Sequence, residues 1–242
     1  MDQHKLLHSN ELRPVPLRLC TAPRSQIESP SLEGKSLPVP QHPQVLGFIL
    51  AGGKSRRMGR DKAMLLISGE SLLDRTLRLL LPLATTVTVV GSPERYARSD
   101  ARVLPDDRPG LGPLGGIATA LRASSSPWNL IVACDLPYLT APFLDFLIRR
   151  AFESQADALL PETARGPEPL CAMYTRRCLP SIEAAIERND LKVTNGLASC
   201  KLKTLPESQW KQFDSHGRLF KNMNSPADYQ EARAYFEGRS VL

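Results

Sequence analysis

Residues 50–62 read LAGGKSRRMGRDK. An apolar run ends in Gly52 and Gly53, and five of the nine residues that follow are cations: Lys54, Arg56, Arg57, Arg60 and Lys62. Glycines let backbone N–H groups approach an anion closely. Arginine grips phosphate oxygens through paired N–H bonds, and lysine acts as a mobile point charge. The pattern predicts a phosphate-binding loop at the end of a buried strand. Two acids could complement it. Asp106 closes the short segment ARVLPD, and Asp135 closes WNLIVACD before apolar character resumes in LPYL. A carboxylate at such a place is costly to bury unless it meets a cation, and Mg2+ takes one or two carboxylates together with substrate phosphates. Asp135 is therefore the expected metal ligand, with Cys134 beside it turned to the other face as core. Gly, Lys, Arg and Asp in this arrangement suit phosphoryl or nucleotidyl transfer, where positioning and charge neutralisation carry the catalysis.

Other chemistries fit less well. GFILAGGKS ends like a P-loop, but five residues rather than four separate Gly47 from Gly53, and Gly47 lies inside the apolar run. GLGPLG at 110–115 matches G-x-G-x-x-G, yet DDRP stands between it and the preceding strand, and carboxylates beside a pyrophosphate would repel it. Asp107 has the position of a turn residue in DDRPG. Beyond residue 45 the one histidine is His216, in the polar segment DSHGR, and no Ser–His or Cys–His pairing suggests itself.

The elements that must position these residues alternate. VLGFILA, TTVTVVG, ARVLPD, WNLIVACD, DALLPE and PLCAMYTR read as strands. SLLDRTLRLLLPLA, GGIATALRAS, APFLDFLIRRAF, CLPSIEAAIERN and PADYQEARAYFEG read as helices, with Ser71 and Ser225 as N-caps and Pro142 and Pro226 in first turns. Continuous apolar strands separated by helices predict an α/β fold of three layers: a mostly parallel sheet with helices on both faces. In such sheets ligands bind beyond the carboxyl ends of the strands, which puts the glycine–arginine loop, Asp106 and Asp135 on one rim.

Residues 1–44 differ. They hold seven of the prolines and three of the four histidines (His4, His8, His42) and no periodic apolar pattern, so they are expected to form a disordered proline-rich extension ahead of a domain at 45–242. The net charge of +6 suits an acidic ligand but is too small and dispersed to argue for nucleic acid. Five scattered cysteines without a C-x-x-C pair suggest neither a disulfide framework nor a zinc site, and point to the reducing cytoplasm. No apolar run reaches membrane-spanning length, and the N-terminus lacks a signal-peptide core.

Four ordered segments carry a resemblance: LAGGKSRRMGRDKA (50–63), GPLGGI (112–117), CDLPYL (134–139) and NMNSPADY (222–229). Together they resemble the molybdenum cofactor guanylyltransferases, within the nucleotidyltransferases of Rossmann-like fold, over residues 45–237. The resemblance implies Mg2+-dependent transfer of GMP from GTP to the terminal phosphate of molybdenum-bearing molybdopterin, with release of pyrophosphate. It implies nucleotide contacts at Leu50, Ala51 and Gly52, a phosphate grip at Lys62, a place for Asp106 in the GTP site, and Mg2+ and GTP at Asp135. Gly53 joins the loop on the residue-level reading, and Arg57 is expected to neutralise the leaving pyrophosphate. The catalytic set is then Arg57, Lys62 and Asp135. Other cofactor-assembly proteins are implied partners. Asn222 and Asn224 fit either a structural role before the helix or a position facing the metal. The chain departs from the family where Gly91 or Ser92 replaces a frequent GTP-contacting Asn, and where Lys192 alone stands for paired arginines. A cytidylyltransferase of the same cofactor, a sugar-1-phosphate nucleotidyltransferase and a non-catalytic nucleotide-binding protein are the other readings. Lys62 and Asp135 argue against the last.

Overall fold

The computed structural model describes residues 41–52, 61–97 and 101–238. Among the described residues the strands are β1 (His42–Leu50), β2 (Leu66–Ile67), β3 (Glu70–Ser71), β4 (Ala84–Val90), β5 (Arg102–Leu104), β6 (Trp128–Ala133), β7 (Ala158–Thr163), β8 (Gly166–Pro167), β9 (Cys171–Tyr174) and β10 (Leu202–Leu205). Among the described residues the α-helices are α1 (Leu72–Leu80), α2 (Pro93–Tyr96), α3 (Gly112–Ala123), α4 (Ala141–Phe152), α5 (Leu179–Glu187), α6 (Val193–Gly196), α7 (Glu207–Trp210) and α8 (Pro226–Glu237).

The main sheet runs β10-β7-β9-β6-β1-β4-β5, with β8 paired to β7, while β2 and β3 form a separate hairpin. In register, Leu46–Leu50 of β1 pairs in parallel with Thr86–Val90 on one flank and Asn129–Ala133 on the other. All six residues of β6 are buried, as its unbroken apolar run requires of a strand covered on both faces. The two faces separate cleanly. Val45, Ile49, Leu130 and Val132 pack with α1 and α4 through Leu73, Leu77, Phe143 and Leu147. Phe48 and Ile131 pack on the other side with α3 and α5 through Leu114, Ile117, Ile182 and Ala185. The expected three-layer α/β architecture is therefore present. β9 alone among the main strands runs antiparallel, to both β6 and β7.

Chain order places the ligand rim. From β1 the chain steps outward to β4 and β5, then returns to β6 on β1's opposite flank. The crevice beyond the carboxyl ends of β1 and β6 is the switch point where open α/β sheets bind ligands. Gly52 and Asp135 stand there, each two residues past its strand.

Several boundaries shift. β1 starts at His42, so residues 42–44 belong to the sheet and not to the extension. His42 Nε2 lies 2.8 Å from Asp145 Oδ1 of α4, which ties the strand's start to the body. The expected disorder of the preceding residues lies outside the described residues. The strand ARVLPD shortens to β5, leaving Asp106 two residues beyond it. GLGPLG forms a turn and the first turn of α3, with Gly110 and Gly112 at φ of 98° and 64°, where side chains other than glycine are strained. β10, α6, α7 and the β2–β3 hairpin are additions that the sequence patterns do not announce. No helix among the described residues is long and apolar enough to cross a membrane.

Candidate active site

Two carboxyl-end loops build the centre. After β1, Asp61 caps a single 3-10 turn, Lys62–Met64, by accepting from Ala63 N at 3.1 Å. Lys62 leaves the start of this turn, and its Nζ donates to Asn224 Oδ1 at 2.7 Å and stands 3.7 Å from Asp135 Oδ2. The loop after β6 is held from three sides. Arg75 Nε of α1 donates to Pro137 O (2.9 Å), Met223 N donates to Asp135 O (2.9 Å), and Tyr138 stacks on Phe236 of α8 at 5.6 Å between ring centroids. Met223's bond also sets Asn224 in place. The next residue, Ser225, opens α8 with a full capping box to Asp228.

The electrostatics are unbalanced in a telling way. Burial pushes the Asp135 carboxyl above its ordinary range, and the Lys62 ammonium only partly opposes this. A carboxylate that is partly desolvated and meets its cation at 3.7 Å has acceptor capacity to spare. Cys134, beside it, is buried with its thiol pushed well up, the inert core residue expected.

The remaining candidates fall around this centre. Ala51 is fully buried and its N–H donates to Val90 O, so it serves the sheet as well as the rim. Gly52 is exposed, and among the described residues nothing lies within 4 Å of where its Cβ would stand. Leu50 packs under α3: a Cβ at Gly116 would approach its Cδ2 to 3.2 Å. Asp106 is on the same rim, its Oδ1 accepting from Arg108 N (3.1 Å) and Thr119 Oγ1 (3.3 Å). Three strand spacings separate β6 from β5, roughly 14 Å at about 4.8 Å each, so Asp106 and Asp135 cannot share one ion. Asp107 pairs with Arg122 of α3 at 3.0 Å, the structural role a turn residue suggests. His216 meets Tyr235 of α8 edge-on at 5.6 Å. Gly53 and Arg57 lie outside the described residues.

Tyr96 is the rim residue that sequence reasoning does not single out. Its hydroxyl donates to Asp61 Oδ2 at 2.8 Å. Nothing in SPERY signals a partner 35 residues earlier in the chain.

The donor set suits a hard divalent ion. Among the described residues no group of three or more His, Cys, Asp or Glu side chains could cage a metal. Asp135 offers one carboxylate and Asn224 one amide oxygen, which matches Mg2+, an ion that fills its other positions with water and substrate phosphates.

Residues 47–199 match the model of the MobA-like NTP transferase domain family. The chain belongs to that family. It is a nucleotidyltransferase, similar to a probable molybdenum cofactor guanylyltransferase of Chloroflexus aggregans at 32% identity, over 81% of this chain and 97% of the relative. Among solved structures, the transferase is similar to molybdopterin-guanine dinucleotide biosynthesis protein A of Archaeoglobus fulgidus, with TM-score 0.70 and 27% identity over 81% of this chain and all of that one. A cytidylyltransferase of Thermus thermophilus acting on 2-C-methyl-D-erythritol 4-phosphate shares the fold at 17% identity and TM-score 0.58, covering 81% of this chain and 99% of its own.

Proposed function

We propose that this transferase moves GMP from GTP to the terminal phosphate of molybdenum-bearing molybdopterin, with Mg2+, in the cytoplasm. The observation that carries the reading is the meeting of Lys62 and Asp135 across the β1 and β6 ends, 3.7 Å apart. A cation and an incompletely neutralised acid at that spacing can act together on one triphosphate. The relatives named guanylyltransferases support the choice of base.

In the reaction, a phosphate oxygen of the acceptor attacks the α-phosphorus of GTP, and the bond to the bridging oxygen of the pyrophosphate breaks. Leu50, Ala51 and Gly52 receive the nucleotide at the end of β1, and Gly53, the next residue in the sequence, joins them. Lys62 holds phosphate oxygens, and Arg57, five residues earlier in the sequence, offsets the charge that builds on the leaving pyrophosphate. Asp135, with Asn224 nearby, would hold Mg2+, which would supply charge neutralisation of the phosphates. Asp106, about 14 Å along the rim by strand spacing, falls at the nucleoside end of a nucleotide whose phosphates lie at Asp135. Other molybdenum cofactor assembly proteins would supply the acceptor and take the product.

The test is calorimetric titration with each of the four NTPs in Mg2+, followed by transfer from α-labelled nucleotide to the acceptor. GTP should bind at least about tenfold more tightly than the others. Tightest binding of CTP, or transfer to a sugar 1-phosphate in place of the pterin, would overturn the assignment.

A further inference from the structure

Lys62 must be aimed, because a flexible four-carbon side chain on a loop has many rotamers and few useful ones. The structure shows what aims it. Tyr96 ends α2, directly after β4, and only 3% of it is exposed. Its ring lies against Gly91, where a Cβ would come within 2.7 Å of Tyr96 Cε2 and 2.1 Å of Ala51 O. Gly91 is thus the residue that lets the phenol and the β1 end close on each other. A buried phenol needs a hydrogen-bond partner, and Asp61 Oδ2 accepts at 2.8 Å. The other oxygen of the same carboxylate caps Ala63 N, in the turn that begins at Lys62. From solvent, Arg95 reaches Asp61 Oδ2 only at 3.8 Å.

We propose that Tyr96 is a positioning residue of the transfer reaction, acting through Asp61 to hold the Lys62 turn so that the ammonium faces Asp135. This rests on the reading of Lys62 as the phosphate grip. It also gives the chain a use for the position after β4: with Gly91 too crowded for any side chain, the segment contributes a brace.

Two measurements on the full chain test it. Hydrogen–deuterium exchange, followed by mass spectrometry, needs no activity. Y96F keeps the ring and removes the hydroxyl, so peptides covering residues 61–65 should exchange about tenfold faster, the worth of one charge-assisted hydrogen bond. Unchanged exchange overturns the proposal. The second measurement is steady-state transfer. Y96F should lower kcat about tenfold with the KM for GTP moved less than about threefold, because the lysine is present but misdirected. In a K62A background the same substitution should cost less than about twofold, since the two residues act as one unit. R95A, which touches Asp61 from solvent, should change kcat by less than about twofold. Independent, multiplying losses of Y96F and K62A would overturn the brace while leaving the function intact. If Y96F does not fold, D61A removes the acceptor itself, and its loss of kcat, shrinking to less than about twofold in the K62A background, is read the same way. If the native protein transfers nothing, the functional reading fails, and the exchange experiment still decides whether Tyr96 holds the turn.

Discussion

Asp135 and Asp157 occupy opposite rims of the same sheet, and each sits beside a cation. Asp157 precedes β7, and its carboxylate is fully engaged: Arg177 Nε donates to Oδ1 and Lys201 N to Oδ2 at 2.9 Å. Its backbone is used as well, with N donating to Lys201 O (2.7 Å) and O accepting from Thr175 N (2.8 Å). The Arg177 hydrogen bond, followed by that of Lys201, holds its carboxyl below the ordinary range. Asp135 follows β6, has a lysine at 3.7 Å, and is shifted the other way because burial wins. One acid is stabilised by the fold, and the other is kept by the fold at a cost. That second condition is what a site for a cation and a triphosphate needs, since unmet acceptor capacity is there to be met by substrate.

The comparison breaks most sharply at Asp135. D135A should lower kcat by about 10³-fold, because the removed group meets charge that develops in the transition state. D135N should lose as much activity yet melt higher in metal-free buffer, by roughly 2–4 °C for ~1 kcal/mol of relieved burial. A lower melting temperature would mean that Asp135 stabilises the fold after all. D157N is expected to do the reverse. Its kcat should stay within about twofold, while its melting temperature falls by about 4 °C, the effect of losing ~1–2 kcal/mol of hydrogen bonding at a rim partly screened by water. Differential scanning calorimetry with parallel transfer assays reads both.

Part of this contrast is legible in the amino-acid sequence. Asp135 ends WNLIVACD and Asp157 begins DALLPE, and in a parallel sheet only residues after strands share the ligand rim. Lys62 is readable for a related reason, as the last cation of the glycine–arginine segment that follows an apolar run. What stays hidden depends on pairing across the chain. Asn224 fits two roles in sequence, and the bond from Met223 N to Asp135 O decides what it faces. Tyr96 gives no signal because its partner, Asp61, stands 35 residues earlier in the chain and only the fold brings the two together. β10 escapes notice because three of its four residues are exposed at the sheet edge, which erases the apolar alternation that marks a strand.

A pH series sharpens the same pair with smaller effects. The Asp157 carboxyl is depressed in the fold, so its stabilisation is complete above the unfolded value of about 3.9 and fades as pH falls through its folded value. The Asp135 carboxyl is raised, so its penalty appears as pH rises through about 3.9 and is complete only above its folded value. Between about pH 7 and about pH 3, melting of the native protein should therefore converge on D157N from above and on D135N from below. Parallel offsets at every pH would show that neither acid titrates differently in the fold.

The smallest expected effect concerns thiols on the two rims. Cys134, beside Asp135, is buried with its thiol pushed well up. Cys200, on the Asp157 side, is half-buried, and a hydrogen bond from Cys178, helped by Ser181 and opposed by burial, lowers it to about 7. Cys178 is fully buried, its thiol is pushed up by the same contact, and its Sγ donates to Asp157 O at 3.4 Å. Iodoacetamide should therefore label Cys200 with a midpoint near pH 7 and leave Cys134 unlabelled in the folded protein. C178A removes the neighbouring thiol and should move the midpoint upward, toward the free-thiol value of about 8.5, without changing transfer. Labelling of Cys134 at about pH 7 would be the informative failure. It would mean that the loop carrying Asp135 opens to solvent, and that burial is not what raises the carboxyl beside it.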